Sequence, residues 1–245
     1  MCIYCKYATT ATMPWLPYTV GVSDDQPAQP SLRDRKRART RQALVDAAIE
    51  LFERDGYEQT TIADIAAAAE VGSRTFFNYF GSKEELLFPD SDARVRATVE
   101  AIAERGPHDG PTDVLLRALR RVGTGDDGAA GADMTGGLAG LRLRLIRTVP
   151  AVRSRALHVQ LDAQREIARH LVQAFPETLD EPTAAAVTGA FIGAITAALQ
   201  VLLERSDRPD DPAEFHRVLR QATDLALAPW SATATATEAR SATDN

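Results

Sequence analysis

From Ser73 to Phe80 the chain reads Ser-Arg-Thr-Phe-Phe-Asn-Tyr-Phe. At 100° per residue, Phe76 and Phe80 fall on one side with Tyr79 beside them, and Arg74 and Asn78 fall opposite, flanked by Thr75 and Phe77. Arginine can pair bidentately with guanine and asparagine with adenine, while threonine or an aromatic edge can meet a thymine methyl. All of this happens in a major groove that admits one helix. The outward face is therefore suited to reading bases. Lys83, next to a helix start, could hold a phosphate together with the free backbone amides.

Such a face needs elements that hold it still. Leu44, Val45, Ala48, Ile49, Leu51 and Phe52 recur at helical spacing, and Gly56 ends the run in the C-cap region. Thr61 can cap a second helix with Ile62, Ile65, Ala66 and Ala69 on one stripe, followed by the break Glu70-Val71-Gly72 and a third helix over 73–80. Two short helices around a three-residue turn spell helix-turn-helix. Ser82-Lys83-Glu84-Glu85 reads as a capping box opening a fourth helix that continues through Val95, Val99 and Ile102.

Charge is distributed to match. The whole chain is acidic, with a formal net charge of -6, so its overall field does not draw it to nucleic acid or membranes. Yet residues 31–41 carry Arg33, Arg35, Lys36, Arg37, Arg39 and Arg41 against Asp34 alone. This basic arm, directly ahead of the first helix, is expected to touch the DNA backbone or minor groove, Arg39 included.

The run Thr61-Ile62-Ala63-Asp64-Ile65-Ala66, then Val71, then Thr75-Phe76-Phe77-Asn78-Tyr79-Phe80-Gly81-Ser82-Lys83-Glu84-Glu85-Leu86, resembles the DNA-binding domain of the TetR family of bacterial repressors. The resemblance implies phosphate contacts from Thr61, Tyr79 and Lys83. It implies base contacts or groove packing from Ser73, Arg74, Thr75, Phe77 and Asn78. It further implies an all-α homodimer with a C-terminal effector domain. Where the family usually has Gly, this chain has Glu70, which asks a non-glycine residue to turn left-handed at about 1–2 kcal/mol. Gly72, Arg74 and Phe77 stand where Ser, Gly and Tyr are common, so the base preference should differ.

Beyond residue 106, helical patterns run near 112–122, 138–149 with 151–175, 182–204 and 212–227. The helices over 182–204, with Gly189 and Gly193, and 212–227, with Phe215 and Leu219, are the expected subunit-pairing surface. The segment from Leu141 to Leu157 is similar to the mycofactocin-regulator branch of the family, which implies acyl-CoA-type effectors. Arg142, Arg144 or Arg147 at the mouth of an apolar pocket could meet an anionic head, or could simply be solvated or salt-bridged.

These readings divide the chain into a disordered tail (1–30), a helix-turn-helix DNA-binding domain (31–90), a helical effector-binding and dimerisation domain (91–228) and a second disordered tail (229–245). A fold rich in Ala and Leu, with 6% aromatic residues, favours helices over a sandwich or barrel. No enzyme is expected, because no nucleophile–base pair or carboxylate dyad is readable. Neither a cofactor nor a metal is expected: Cys2 and Cys5 lack further ligands, and His108, His158, His170 and His216 lack paired spacing.

Two apparent motifs lose to simpler readings. The GxGxxG at Gly123–Gly128 follows a helical pattern and places two aspartates where a phosphate would sit, so it reads as an interhelical loop. Ala184–Leu203 is long enough for a bilayer but is only mildly apolar and bracketed by Glu181 and Glu204, so a helix buried on all sides, in a core or a subunit interface, is expected instead. The expected location is the cytoplasm and the expected partners are an operator duplex, a second copy and a small-molecule effector, with no membrane.

Overall fold

The computed structural model describes residues 31–124, 137–205 and 212–241. The N-terminal tail with Cys2 and Cys5, and the Gly125–Gly128 part of the glycine-rich motif, lie outside the described residues. Among the described residues all regular structure is helical, in nine α-helices and one 3-10 turn.

Helix α1 runs Leu32–Arg54 and begins in a capping box: Asp34 N–H donates to the Ser31 hydroxyl at 3.2 Å, and the Asp34 carboxylate accepts from Ser31 N–H. The basic arm therefore does not precede the first helix but forms its opening turns. Asp34 near the positive end of the helix dipole helps it start. At the other end Gly56 takes φ 89°, the left-handed conformation that glycine adopts without steric cost.

Helix α2, Ile62–Ala68, opens with the expected Thr61 cap, reciprocated by Asp64. Its end is a Schellman motif: Val71 N–H reaches Ala66 O at 2.9 Å and Glu70 N–H reaches Ala67 O at 3.1 Å. Glu70 sits at φ 56° as the sequence implied. Helix α3, Ser73–Phe76, is shorter than the expected 73–80 run. Beyond Phe76 tighter i→i+3 bonds, Asn78 N–H to Thr75 O and Tyr79 N–H to Phe76 O, mix with an i→i+4 bond from Phe80 N–H to Phe76 O.

The fourth helix departs from expectation. Glu85 accepts from Gly81 N–H at 2.6 Å rather than closing a box on Ser82, and a 3-10 turn, Glu84–Leu87, replaces the α-helical start. Pro89 then forces Phe88 out of the helical region, to φ -130° and ψ 48°, so the chain breaks before α4, Ser91–Ala103. We call residues 84–90 the strap.

Helices α5 (Pro111–Thr124), α6 (Gly137–Thr148), α7 (Pro150–Ala174), α8 (Glu181–Arg205) and α9 (Pro212–Ser241) follow the expected boundaries closely, apart from the last. Val149 is extended because it precedes Pro150, which starts α7 at N1 and separates it from α6. Helix α9 passes through Pro229 and runs to Ser241, where the composition suggested a tail.

Two apolar clusters organise these elements. The first joins Leu44, Phe52, Ile65, Phe76 and Phe80 to Leu138, Leu141, Leu145 and Val152, so α6 and the start of α7 share the core of the helix-turn-helix head. The second holds Ile102, Leu115, Leu171, Val187, Phe191, Phe215 and Leu219, and unites α4, α5, α7, α8 and α9 into a body.

One sequence-based assignment in the body is corrected by this packing. Phe215 and Leu219, expected between subunits, are each 1% exposed inside the single chain and belong to its own core. Helix α8 is buried on one face only, through Ala184, Val187, Phe191 and Ala198, while Ala185, Ala186, Ala197 and Val201 are exposed. The span Glu181–Leu202 has the length and composition of a membrane helix, but one side of it packs on α7 and α9.

Candidate nucleic-acid interface and ligand cavity

The recognition segment, Ser73–Phe80, stands on two buried rings. Phe76 and Phe80 are almost fully inaccessible, with centroids 5.9 Å apart, and Phe76 meets Phe77 edge-on at 5.4 Å. That base leaves Ser73, Arg74, Phe77 and Asn78 exposed, Phe77 by 57%, with Thr75 and Tyr79 half-buried at the margin. The Phe77 ring keeps more than half of its surface in water beside an arginine and an asparagine, an arrangement that a monomer's core does not require. It suits a groove that supplies methyl groups and base edges. Gly72 caps α3 without a side-chain bond, as its residue type requires.

Other candidate residues have internal roles as well, the Thr61 cap legible in the sequence and a Lys83 anchor that was not. The Thr61 hydroxyl donates to Asp64 at 2.6 Å, and this bond with Thr61 N–H holds the Asp64 carboxyl below the usual range. Lys83 Nζ donates to Tyr57 O at 2.7 Å and Thr60 O at 3.0 Å and lies 4.0 Å from the Tyr57 ring centroid. Two of its three donors thus pin the loop ahead of α2, leaving one for a phosphate. Tyr57 donates in turn to Glu84 at 2.5 Å. Burial first, then the Glu84 carboxylate, pushes the phenol above its ordinary range. Burial opposes ionisation of Glu84, but bonds from the Tyr57 and Ser82 hydroxyls outweigh it and hold its carboxyl low.

From the basic turns of α1, Arg37 lies over the Tyr79 ring at 5.8 Å and Arg41 over Phe80 at 4.7 Å. Arg39 is exposed and, two residues from each, projects from the opposite side of the helix. Sequence reading placed all three in the basic arm but singled out Arg39 rather than Arg37 and Arg41. Their i, i+4 spacing, on the face toward the recognition segment, is the signal that could have found them.

The body contains a half-open cavity of about 270 Å³ lined by α4 to α8, with walls that include Val95, Leu119, Ile146, Val159, Ile167 and Phe191. Of the three arginines considered for an anionic ligand, only Arg142 lines it. Arg144 is exposed, and Arg147 is exposed and paired with Glu204 at 2.9 Å. Arg94, one turn before Thr98 on α4, also lines the cavity and was not anticipated. No group of three metal-binding side chains exists among the described residues.

Two helices joined by a left-handed turn, presenting an arginine–phenylalanine–asparagine face and mounted on a helical body with an apolar cavity, define a helix-turn-helix regulator. Residues 44–88 match the model described as bacterial regulatory proteins, tetR family, and residues 135–230 match the MftR C-terminal domain. The chain belongs to the TetR family.

Among its relatives, the transcriptional regulator TcmR of Streptomyces glaucescens is 37% identical over 145 residues, covering 58% of this chain and 63% of TcmR. The transcriptional repressor LfrR of Mycolicibacterium smegmatis is 34% identical over 90 residues, covering 37% of this chain and 47% of LfrR. The matches thus span less than two thirds of these relatives. In fold, the chain is similar to a TetR-family regulator from Syntrophomonas wolfei, at 19% identity and a TM-score of 0.54, covering 78% of this chain and 96% of the other.

Proposed function

We propose that this chain is a cytoplasmic transcriptional repressor that binds a pseudo-palindromic DNA operator as a homodimer and leaves it when a small-molecule, acyl-CoA-like effector enters the body. The observation that carries this reading is the exposed face of Arg74, Phe77 and Asn78 over a buried Phe76–Phe80 base. Two such faces in one dimer would enter successive major grooves, about 34–36 Å apart or a multiple of that. Arg37 and the remaining basic residues of α1 would follow the backbone, each phosphate contact adding close to one unit of salt dependence. The outer faces of α8, with Gly189, Gly193 and Ala197, and of α9, with Leu225, supply the pairing surface in place of Phe215 and Leu219.

Release requires an effector that favours the conformer with wrongly spaced heads over the DNA-bound one; tight binding alone shifts nothing. The apolar cavity and the MftR-type C-terminal domain support an effector with an acyl portion. The repressor sense is supported by LfrR, which is named a repressor.

The test is selection of bound fragments from random DNA, followed by gel shifts with Arg74→Ala and Asn78→Ala. Each variant should lose about 1–3 kcal/mol on the selected site and relax its base preference while keeping salt-sensitive residual binding. Unchanged preference in both variants would assign base reading to another element.

A further inference from the structure

Among the described residues, Phe77 is the single phenylalanine, tyrosine or tryptophan that is exposed; the others are buried or half-buried. Its ring is nevertheless fixed. It meets Phe76 edge-on, with 5.4 Å between centroids and 84° between planes, and Phe76 is itself fully buried beside Phe80. The main chain is held as well, by Phe77 N–H to Ser73 O at 3.3 Å and Phe80 N–H to Phe76 O at 3.0 Å. A flat apolar surface is thus held out to solvent at a set angle, and covering it costs little further ordering.

What covers it follows from its neighbours and from what the ring lacks. Arg74 and Asn78, exposed on the same face, carry the polar groups that read base edges, whereas phenylalanine has no hydroxyl with which to bond a base or a phosphate. In the major groove the base edges offer one apolar group, the C5-methyl of thymine. Thr75, the neighbour with a methyl of its own, is half-buried and less able to reach it. Arg74 and Phe77 stand three residues apart, about 4.5 Å along a helix axis, against about 3.4 Å per base pair. The base that Phe77 meets therefore lies within about two base pairs of the one that Arg74 reads.

We infer that Phe77 is a specificity-determining residue that reads a pyrimidine C5-methyl group, so that each half-site carries a thymine there and a methylated cytosine at the same position takes its place. The inference rests on the DNA-binding reading above and adds which chemical group of the operator this chain senses. An apolar ring responds to the methyl and not to whether the O4 acceptor of thymine or the N4 donor of cytosine stands beside it. Methylation of a cytosine at that position therefore strengthens binding, and the chain becomes sensitive to DNA methylation. Covering one methyl is worth about fourfold in affinity at the usual value for a buried methylene, and about fifteenfold where both half-sites of a dimer contribute.

The test uses the full chain and the duplex selected from random DNA, with each thymine in turn replaced in both half-sites by uracil, which removes the methyl group and nothing else. One position, close to the base whose preference Arg74→Ala relaxes, should lose about fifteenfold in affinity. At that position 5-methylcytosine should bind tighter than cytosine by about the same factor. Phe77→Ala should bind the thymine and uracil duplexes alike with an unchanged salt dependence, while Phe77→Tyr, which keeps the ring, and Thr75→Ser should keep the discrimination. The uracil series alters the DNA alone, so it decides the matter even where a variant folds poorly. The inference is overturned if no thymine responds, if 5-methylcytosine binds no tighter than cytosine, or if Phe77→Ala keeps the thymine–uracil difference. A ring that packs on deoxyribose instead would weaken every duplex alike in Phe77→Ala and leave the uracil series flat. Sequence-specific binding with a flat uracil series removes this inference and keeps the repressor reading; absence of sequence-specific binding removes both.

Discussion

The head and the body are built differently. In the head, nearly every turn is specified by a nearby side chain: Ser31 with Asp34, Thr61 with Asp64, Gly56 and Glu70 at positive φ, and Lys83 and Thr60 tying the loop between α1 and α2. In the body, long helices meet through apolar faces, and one of those faces, on α8, is left open. The two also divide in an unexpected place. The chain breaks near Pro89, but the head's apolar cluster extends into α6 and the start of α7, so a packing unit crosses the covalent boundary. Local capping fixes where helices begin and end, whereas packing decides which helices form one unit.

The most severe way to probe that division is to open a cavity in each cluster. Phe76→Ala in the head and Phe215→Ala in the body, each removing a fully buried ring, should cost about 3–5 kcal/mol, measured by denaturant unfolding. Leu225→Ala, on the same helix as Phe215 but at a residue 79% exposed, should leave unfolding within about 0.5 kcal/mol. If Leu225 proved as costly as Phe215, the single-chain core described above would be misassigned.

A finer test asks to which unit α6 belongs. Leu141, 2% exposed, lies in the head's cluster, so Leu141→Ala should cost about 2–5 kcal/mol. Its hydrogen-exchange signature should appear in α1 and α2 before α8 and α9. Equal or stronger loosening of α8 and α9 would return α6 to the body.

The same contrast explains what could be read from residues alone. Caps and breaks are short-range, so Thr61, Gly56, Glu70 and Pro150 were legible, as was the inward set Phe76 and Phe80 with its exposed opposite face. Apolar periodicity found the body's helices but could not say what each apolar stripe covers, which is how Phe215 and Leu219 were taken for an interface. Lys83 shows the other limit: a cation near a helix start is legible as a candidate phosphate ligand, but its bonds to the Tyr57 and Thr60 carbonyls become visible only in the tertiary structure. Arg142 was legible as a candidate beside Arg144 and Arg147, but only the packing of α6 separated the one that lines the cavity from the two in solvent.

Within the head, Glu70 is the one described non-glycine residue at positive φ. Glu70→Gly should therefore stabilise the chain. Relief of about 1–2 kcal/mol of left-handed strain is offset in part by the greater freedom of glycine in the unfolded state, for a net gain of about 1 kcal/mol in unfolding free energy. A loss of stability would mean that the Glu70 side chain contributes more than its backbone strain removes.

The smallest expected effect on stability lies on the open face of α8, where it separates folding from pairing. A Cβ built on Gly189 or Gly193 meets no atom within 4 Å in the single chain, so Gly189→Ala and Gly193→Ala are sterically free there. Replacing a helical glycine by alanine typically gains about 0.8–1 kcal/mol, and the isolated protomer should gain up to that amount at each position. If this stripe is where two copies press together, the same methyl groups separate the helices. Dissociation, measured by sedimentation across a concentration series, should then rise about tenfold even as each protomer becomes harder to unfold. A variant that is more stable and dimerises as well as the parent would move the pairing surface away from these glycines, toward the exposed Leu225 side of α9, because a face in close contact cannot accept two added methyl groups without separating.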